Sequence, residues 1–322
     1  MKAAIKTSAQ SGVEFGEFAE PVVGQGRQLV ELVAAGIHPI VRSLANGTHY
    51  GSDGGYPLVP GVDAVARAAD GALIYTGYVE APYGTLAERM AVPAGFRLEL
   101  PAGADPVKVA GGMNSGLSSW MPLKSRAAEV GDLGTVLILG ATGVAGYLAV
   151  QNALQLGATH VVAVGRDADG LARASAVGAT ATVQLSGDRL ADAAAITEVL
   201  DGRAPSIVLD YVWGQPAEAV FAALGRHGLS EDEADVAYVE IGASAGPDAA
   251  VPASLLRSRR IRILGSGAGS SSMGDIMAQL PIYLELLASG AVDVPVATYP
   301  LAQAAEAWGA AAASRSRVVV VP

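Results

Sequence analysis

Residues 136–150 read VLILGATGVAGYLAV, an apolar run that gives way to small residues and then to a helical pattern. Val136, Leu137, Ile138 and Leu139 show no polar alternation, which suits a strand buried on both faces of a parallel sheet. Gly140 ends the run. From Val144 onward, Tyr147, Leu148 and Leu154 recur at helical spacing, while Gln151, Asn152 and Gln155 can face water. Strand therefore turns to helix within a few residues. Against the dinucleotide fingerprint G-x-G-x-x-G, the stretch aligns Ala141, Gly143 and Gly146, with alanine at the first glycine position. Gly143 lets a pyrophosphate approach the main chain, and Gly146 lets helix pack closely on strand. The helix start offers N–H groups and a partial positive charge to the anion, which marks Thr142, Gly143, Val144 and Gly146 as cofactor-binding candidates.

The alternation continues on the C-terminal side. Strand-like runs at 160–164, 181–183, 206–210, 237–241 and 261–264 are separated by helical patterns such as 171–176 and 217–224. This predicts an α/β fold with a doubly wound parallel sheet. Upstream, short strand-like runs at 29–35, 64–69, 73–75 and 86–92 are punctuated by Gly, Pro and Asp, as in a β-rich domain. Residues 317–321 form one more strand that belongs with that first domain. The expected division is 1–118 with 268–322 for the β-rich domain and 119–267 for the nucleotide-binding domain.

With 322 residues the chain can bury a large core and favours two domains. A net charge of −10, from 31 acidic and 21 basic residues, argues against nucleic acid and anionic membranes as partners. No stretch is apolar enough to span a bilayer, so a soluble, cytoplasmic protein is expected. Cysteine is absent, which excludes disulfides, thiolate nucleophiles and Cys-based zinc sites.

Six stretches, in this order, resemble the zinc-free quinone oxidoreductase branch of the medium-chain dehydrogenase/reductase superfamily, which includes zeta-crystallin: VELVAAGIHPIVRSLANGTHYG, VPGVDAVARA, PYGTLAERMAVP, MNSGLSSWMPL, ILGATGVAGYLAVQNALQLGA and YPLAQAAEAW with SRSRVVVVP. The resemblance implies a GroES-like catalytic domain joined to a Rossmann domain. It also implies NADPH-dependent reduction of a quinone or an α,β-unsaturated carbonyl, and a homodimer pairing at 261–264. By the same resemblance, Ser118, Ser119, Tyr211, Gly242, Ala243, Gly265 and Ser266 lie on the cofactor, while the segment 36–50 lines the nicotinamide pocket. His38, standing where an asparagine is frequent, and Tyr50 are the candidate proton donors to the substrate oxygen.

The end of the second strand decides between cofactors. An acidic residue there would bond the ribose 2′-OH, whereas Arg166 can fork onto a 2′-phosphate, so NADPH is expected. Asp167, if turned inward, would instead serve NADH, and Arg173 offers a second positive charge. Of the three positions that hold catalytic zinc elsewhere in the superfamily, only His38 could ligate, because Val62 and Gly112 or Met113 stand at the others. A set of His38, His49 and Asp63 is the alternative. The competing functions are an NADPH-binding sensor or structural protein without turnover, and a reductase recruited to a biosynthetic pathway.

Overall fold

The computed structural model describes residues 1–322. Along the chain the elements run β1 (Lys2–Ile5), β2 (Glu14–Glu17), β3 (Arg27–Gly36), α1 (Pro39–Ala45), β4 (Asp63–Arg67), β5 (Leu73–Gly77), β6 (Arg89–Pro93), β7 (Leu98–Glu99) and α2 (Pro106–Val130). They continue as β8 (Thr135–Leu139), α3 (Val144–Gln155), β9 (His160–Gly165), α4 (Ala168–Ala176), β10 (Ala181–Gln184), α5 (Arg189–Leu200), β11 (Ile207–Asp210) and α6 (Gly214–Ala223). The rest comprises β12 (Val236–Glu240), α7 (Ala253–Ser258), β13 (Ile261–Gly265), α8 (Met273–Ala288), β14 (Val296–Pro300), α9 (Ala304–Ala310) and β15 (Arg317–Val321).

The chain divides into two compact units, 1–115 with 280–322 and 116–279. Both joins fall inside helices, α2 and α8. Each helix continues past an internal proline, Pro122 or Pro281, and no turn residue in the sequence marks where one unit ends.

In the 116–279 unit six strands lie in the order β10-β9-β8-β11-β12-β13, every pair parallel. Read from β8, this is the 3-2-1-4-5-6 order of the dinucleotide-binding fold. The unpatterned apolar run of β8 has a simple cause. Val136 and Ile138 pack with Val161, Leu209 and α3 residues such as Val150, whereas Leu137 and Leu139 pack on the other face with Val162, Val208 and Phe221. Both faces are dry, so alternation carries no advantage; burying each such side chain contributes roughly 1.5–3 kcal/mol. Strand order reverses between β8 and β11, and the turns that follow those two strands abut. A Cβ on Gly140 would meet Val212 Cγ1 at 2.9 Å and Tyr211 Cβ at 3.1 Å.

In the other unit a seven-stranded sheet runs β14-β15-β3-β4-β5-β7, with β6 also paired to β3, and β1 and β2 form a separate hairpin. All contacts of the large sheet are antiparallel except β14 with β15. β15 thus lies inside the sheet, against β3 and β14. No helix is long and apolar enough to cross a membrane.

Candidate active site

The glycine turn after β8 has the form a pyrophosphate requires. Gly143 is the N-cap of α3 and brings no capping side chain, so the N–H groups of Val144, Ala145 and Gly146 precede the first helical bond, from Tyr147 N to Gly143 O. Around Gly143 there is room: a Cβ would find only Gly140 O, at 3.7 Å. Gly146 is the opposite case. A Cβ there would stand 2.4 Å from Gly140 O and 2.5 Å from Ala141 Cα, so only glycine lets α3 lie against β8. Open backbone at one glycine and close packing at the other fit a dinucleotide phosphate.

The end of β9 adjoins this turn. Cβ atoms on Gly165 or Gly170 would press into Thr142, which brings the 140–143 turn against the start of the next helix. Arg166 follows Gly165; it is exposed, and its guanidinium makes no hydrogen bond or ion pair, while its carbonyl accepts from Gln184 Nε2. Asp167 is the N-cap of α4 and its Oδ2 accepts from Gly170 N at 2.9 Å. That carboxylate serves the helix start, which leaves Arg166 as the group free to meet the ribose substituent. Arg173 on α4 reaches back to the Thr142 carbonyl at 3.4 Å.

Around the turn after β11, Ser118 Oγ and the Tyr211 hydroxyl are 3.1 Å apart, and burial pushes the Tyr211 phenol up to about 12. Ser119 donates to Gly116 O and accepts from Asn152 Nδ2, so its hydroxyl is tied to protein. Asp210, wholly buried, accepts from Val212 N, Trp213 N and the Tyr238 hydroxyl. It shapes the turn, and burial raises its pKa. Gly242 lies under the same turn, where a Cβ would meet Tyr211 O at 3.0 Å. Ala243 and Gly265 are exposed, and Ser266 N donates to Glu240 O.

In the β-rich unit the two expected proton donors have opposite environments. Tyr50 is 77% exposed and stacks on His49, with ring centroids 4.0 Å apart. His38 is 0% exposed and is the N-cap of α1, followed by Pro39 at the first helical position. Its Nδ1 is 3.3 Å from Ser115 Oγ, and its Nε2 faces Asp63 Oδ1 at 3.3 Å in a misaligned contact that satisfies neither atom. Burial lowers its pKa, outweighing the opposing pull of Asp63. The sequence reading set this ring against the substrate oxygen; the structure encloses it among protein groups. The apolar character of GIHPIV carries no sign of that enclosure, because the neighbours come from β4, β5, α2 and β15. Of these neighbours, Tyr75, Ser115 and Arg317 carry no site role in the sequence reading, and Asp63 enters it only beside His38 as an alternative zinc ligand. His49 does not complete a metal set with His38 and Asp63: its Nδ1 accepts from Gly51 N, and no group of three His, Asp or Glu residues able to hold a metal ion is present.

The curated "Probable NADPH-dependent quinone reductase tdiC" of Emericella nidulans is 30% identical over 332 aligned positions, covering 91% of this chain and 91% of that protein. The chain belongs to the zinc-free quinone oxidoreductases. That branch of the medium-chain dehydrogenase/reductase superfamily also supplies similar solved structures. The quinone oxidoreductase of Thermus thermophilus, known alone and with NADPH, matches at TM-score 0.81 and 26% identity across 100% of both chains. That of Pseudomonas syringae pv. tomato shares the fold at TM-score 0.80 and 22% identity, again across 100% of both. No family model matches the chain. As in its relatives' fold, a GroES-like unit accompanies the Rossmann unit of this quinone oxidoreductase.

Proposed function

We propose that this chain is an NADPH-dependent oxidoreductase that reduces a quinone, or the C=C bond of an α,β-unsaturated carbonyl, without zinc. The observation that carries the reading is its 30% identity, over nine-tenths of its length, to an NADPH-dependent quinone reductase. Thr142, Gly143, Val144 and Gly146 hold the pyrophosphate through main-chain N–H groups at the α3 start. Arg166 binds the 2′-phosphate. Ser118, Tyr211, Gly242, Ala243, Gly265 and Ser266 serve the nicotinamide half, and Ser119 acts behind them through its bonds to Gly116 and Asn152. NADPH, when bound, supplies the hydride.

Hydride transfer to a quinone leaves the hydroquinone monoanion, which needs one proton and takes it readily from water, whereas the enolate left by hydride transfer to an enone needs one delivered at carbon or oxygen. With the His38 ring enclosed, Tyr50 is the remaining side-chain donor of the pair, and this favours the quinone as acceptor. The enzyme acts in the cytoplasm as a homodimer joined at the β13 edge, where Leu264 is 46% exposed. The test is loss of reduced-nicotinamide absorbance with panels of quinones and enones, using NADPH and NADH in parallel. Turnover of neither class, with NADPH bound, would favour the sensor reading instead.

A further inference from the structure

The β-rich unit contains a cluster of buried polar groups that the proposed chemistry does not use. Arg317 on β15 is almost wholly buried; its Nη1 donates to Ile37 O at 3.1 Å and its Nη2 donates to Ser115 Oγ at 2.7 Å. Guanidinium can only donate, so the serine oxygen accepts there, and the same Oγ lies 3.3 Å from His38 Nδ1. Nε2 faces acceptors, Asp63 Oδ1 at 3.3 Å with the Ala110 carbonyl beside it, which places the imidazole proton on Nε2 and leaves Nδ1 toward Ser115. On the far side, the Tyr75 hydroxyl donates to Asp63 Oδ2 at 2.6 Å. A cation stands at one end and a carboxylate at the other, with the Ser115 hydroxyl and the imidazole between them, and the Nε2–Asp63 contact is too misaligned to satisfy either atom. Gly36 makes the fold-back of the ring possible, since a Cβ there would lie 2.5 Å from His38 Nε2 and 2.7 Å from Ala110 O.

We propose that Arg317, Ser115, His38, Asp63 and Tyr75 form a positioning relay that fixes His38 as the neutral Nε2–H tautomer and thereby anchors the turn from Ile37 to Pro39. The relay rests on the reading above only for its purpose, which is to hold the segment 36–50 in register for nicotinamide and acceptor. His38 is a positioning residue, not a proton donor. Five elements meet at this point: β15, α2, the turn before α1, β4 and β5. Ordering one side chain therefore orders the turn.

The first arm of the test needs no turnover. The chain has four histidines, so imidazole-¹⁵N-labelled full-length protein gives four sets of ring signals. His38 is assigned from the His38→Gln spectrum, or by elimination with His49→Gln, His160→Gln and His227→Gln if the first variant does not fold. The expected result is an Nε2–H tautomer that does not titrate between about pH 5.5 and about pH 8.5, the span in which an ordinary histidine changes charge. Ser115→Ala and Tyr75→Phe should each shift that signal. A ring that titrates within the span, or carries its proton on Nδ1, overturns the relay whether or not a quinone is turned over. The second arm is kinetic. His38→Asn, which keeps an amide donor and acceptor, should retain kcat within about threefold, and His38→Phe should lose about tenfold or more in kcat with NADPH KM little changed. Loss of a pH-profile limb in His38→Asn would mark the ring as the acid and refute the positioning role.

Discussion

Arg166 and His38 make the sharpest individual claims. Because the Arg166 guanidinium is exposed and unengaged, and Asp167 is occupied in capping α4, only the 2′-phosphate should register its removal. Arg166→Ala is expected to weaken NADPH binding by about 1.5–3 kcal/mol, the scale of a hydrogen bond to a charged group, with NADH nearly unaffected. Fluorescence titration with both cofactors measures this, and an equal loss for the two would remove the assigned role. For His38 the expectation concerns stability. Its pKa is lowered in the fold by burial, so the unfolded chain takes up a proton that the folded chain refuses. The stabilisation from keeping the ring neutral is complete above the unfolded value of about 6.5 and is lost as pH falls below it, by at most ~1.4 kcal/mol per pH unit. Urea unfolding at several pH values should show this component in the parent and not in His38→Gln. Parallel pH dependences would mean that the ring titrates normally.

The β8–turn–α3 segment shows what a sequence can disclose. Its strand, its glycines and the following helix were all legible, because a strand buried on both faces must be apolar throughout and a helix packed tightly on it must carry glycine at the crossing. Gly146→Ala should accordingly cost stability on the order of 1–3 kcal/mol, the range for overpacking, and should weaken NADPH binding as α3 is pushed off β8. Thermal unfolding and cofactor titration test the two halves separately; a variant of parental stability would contradict the close approach. Other elements were hidden. β1, β2 and β14 are four or five residues each and lie in stretches with no clean alternation, and α2 runs on through Pro122 where the sequence suggested a new domain. The polar cluster around His38 was invisible for a different reason. Its members are scattered from position 38 to position 317, and no local pattern links an arginine near one end to a histidine near the other.

The assembly as a whole makes a claim about metal. His38 is tied to Ser115 and faces Asp63, His49 is turned to Gly51 and Tyr50, and the remaining superfamily ligand positions hold Val62 and Gly112 or Met113. Prolonged chelation should therefore leave quinone reduction within experimental error of the untreated enzyme, and metal analysis should find no stoichiometric zinc. A tightly bound zinc whose removal abolishes activity would contradict this and return His38, His49 and Asp63 to the role of ligands.

The place of β15 inside the large sheet also orders events during synthesis. The 116–279 unit is contiguous, so its parallel sheet has all six strands once β13 has emerged. The β-rich unit cannot close then: β3 lacks its β15 neighbour, and the Arg317 end of the buried polar cluster does not yet exist. At a translation rate of ~5–20 residues per second, the interval between the appearance of β6 and that of β15 is roughly 10–50 s. During this wait one edge of β3 and the apolar surface beneath it stay open to wrong partners, including the same edge on another nascent chain. The half made first is thus the half finished last.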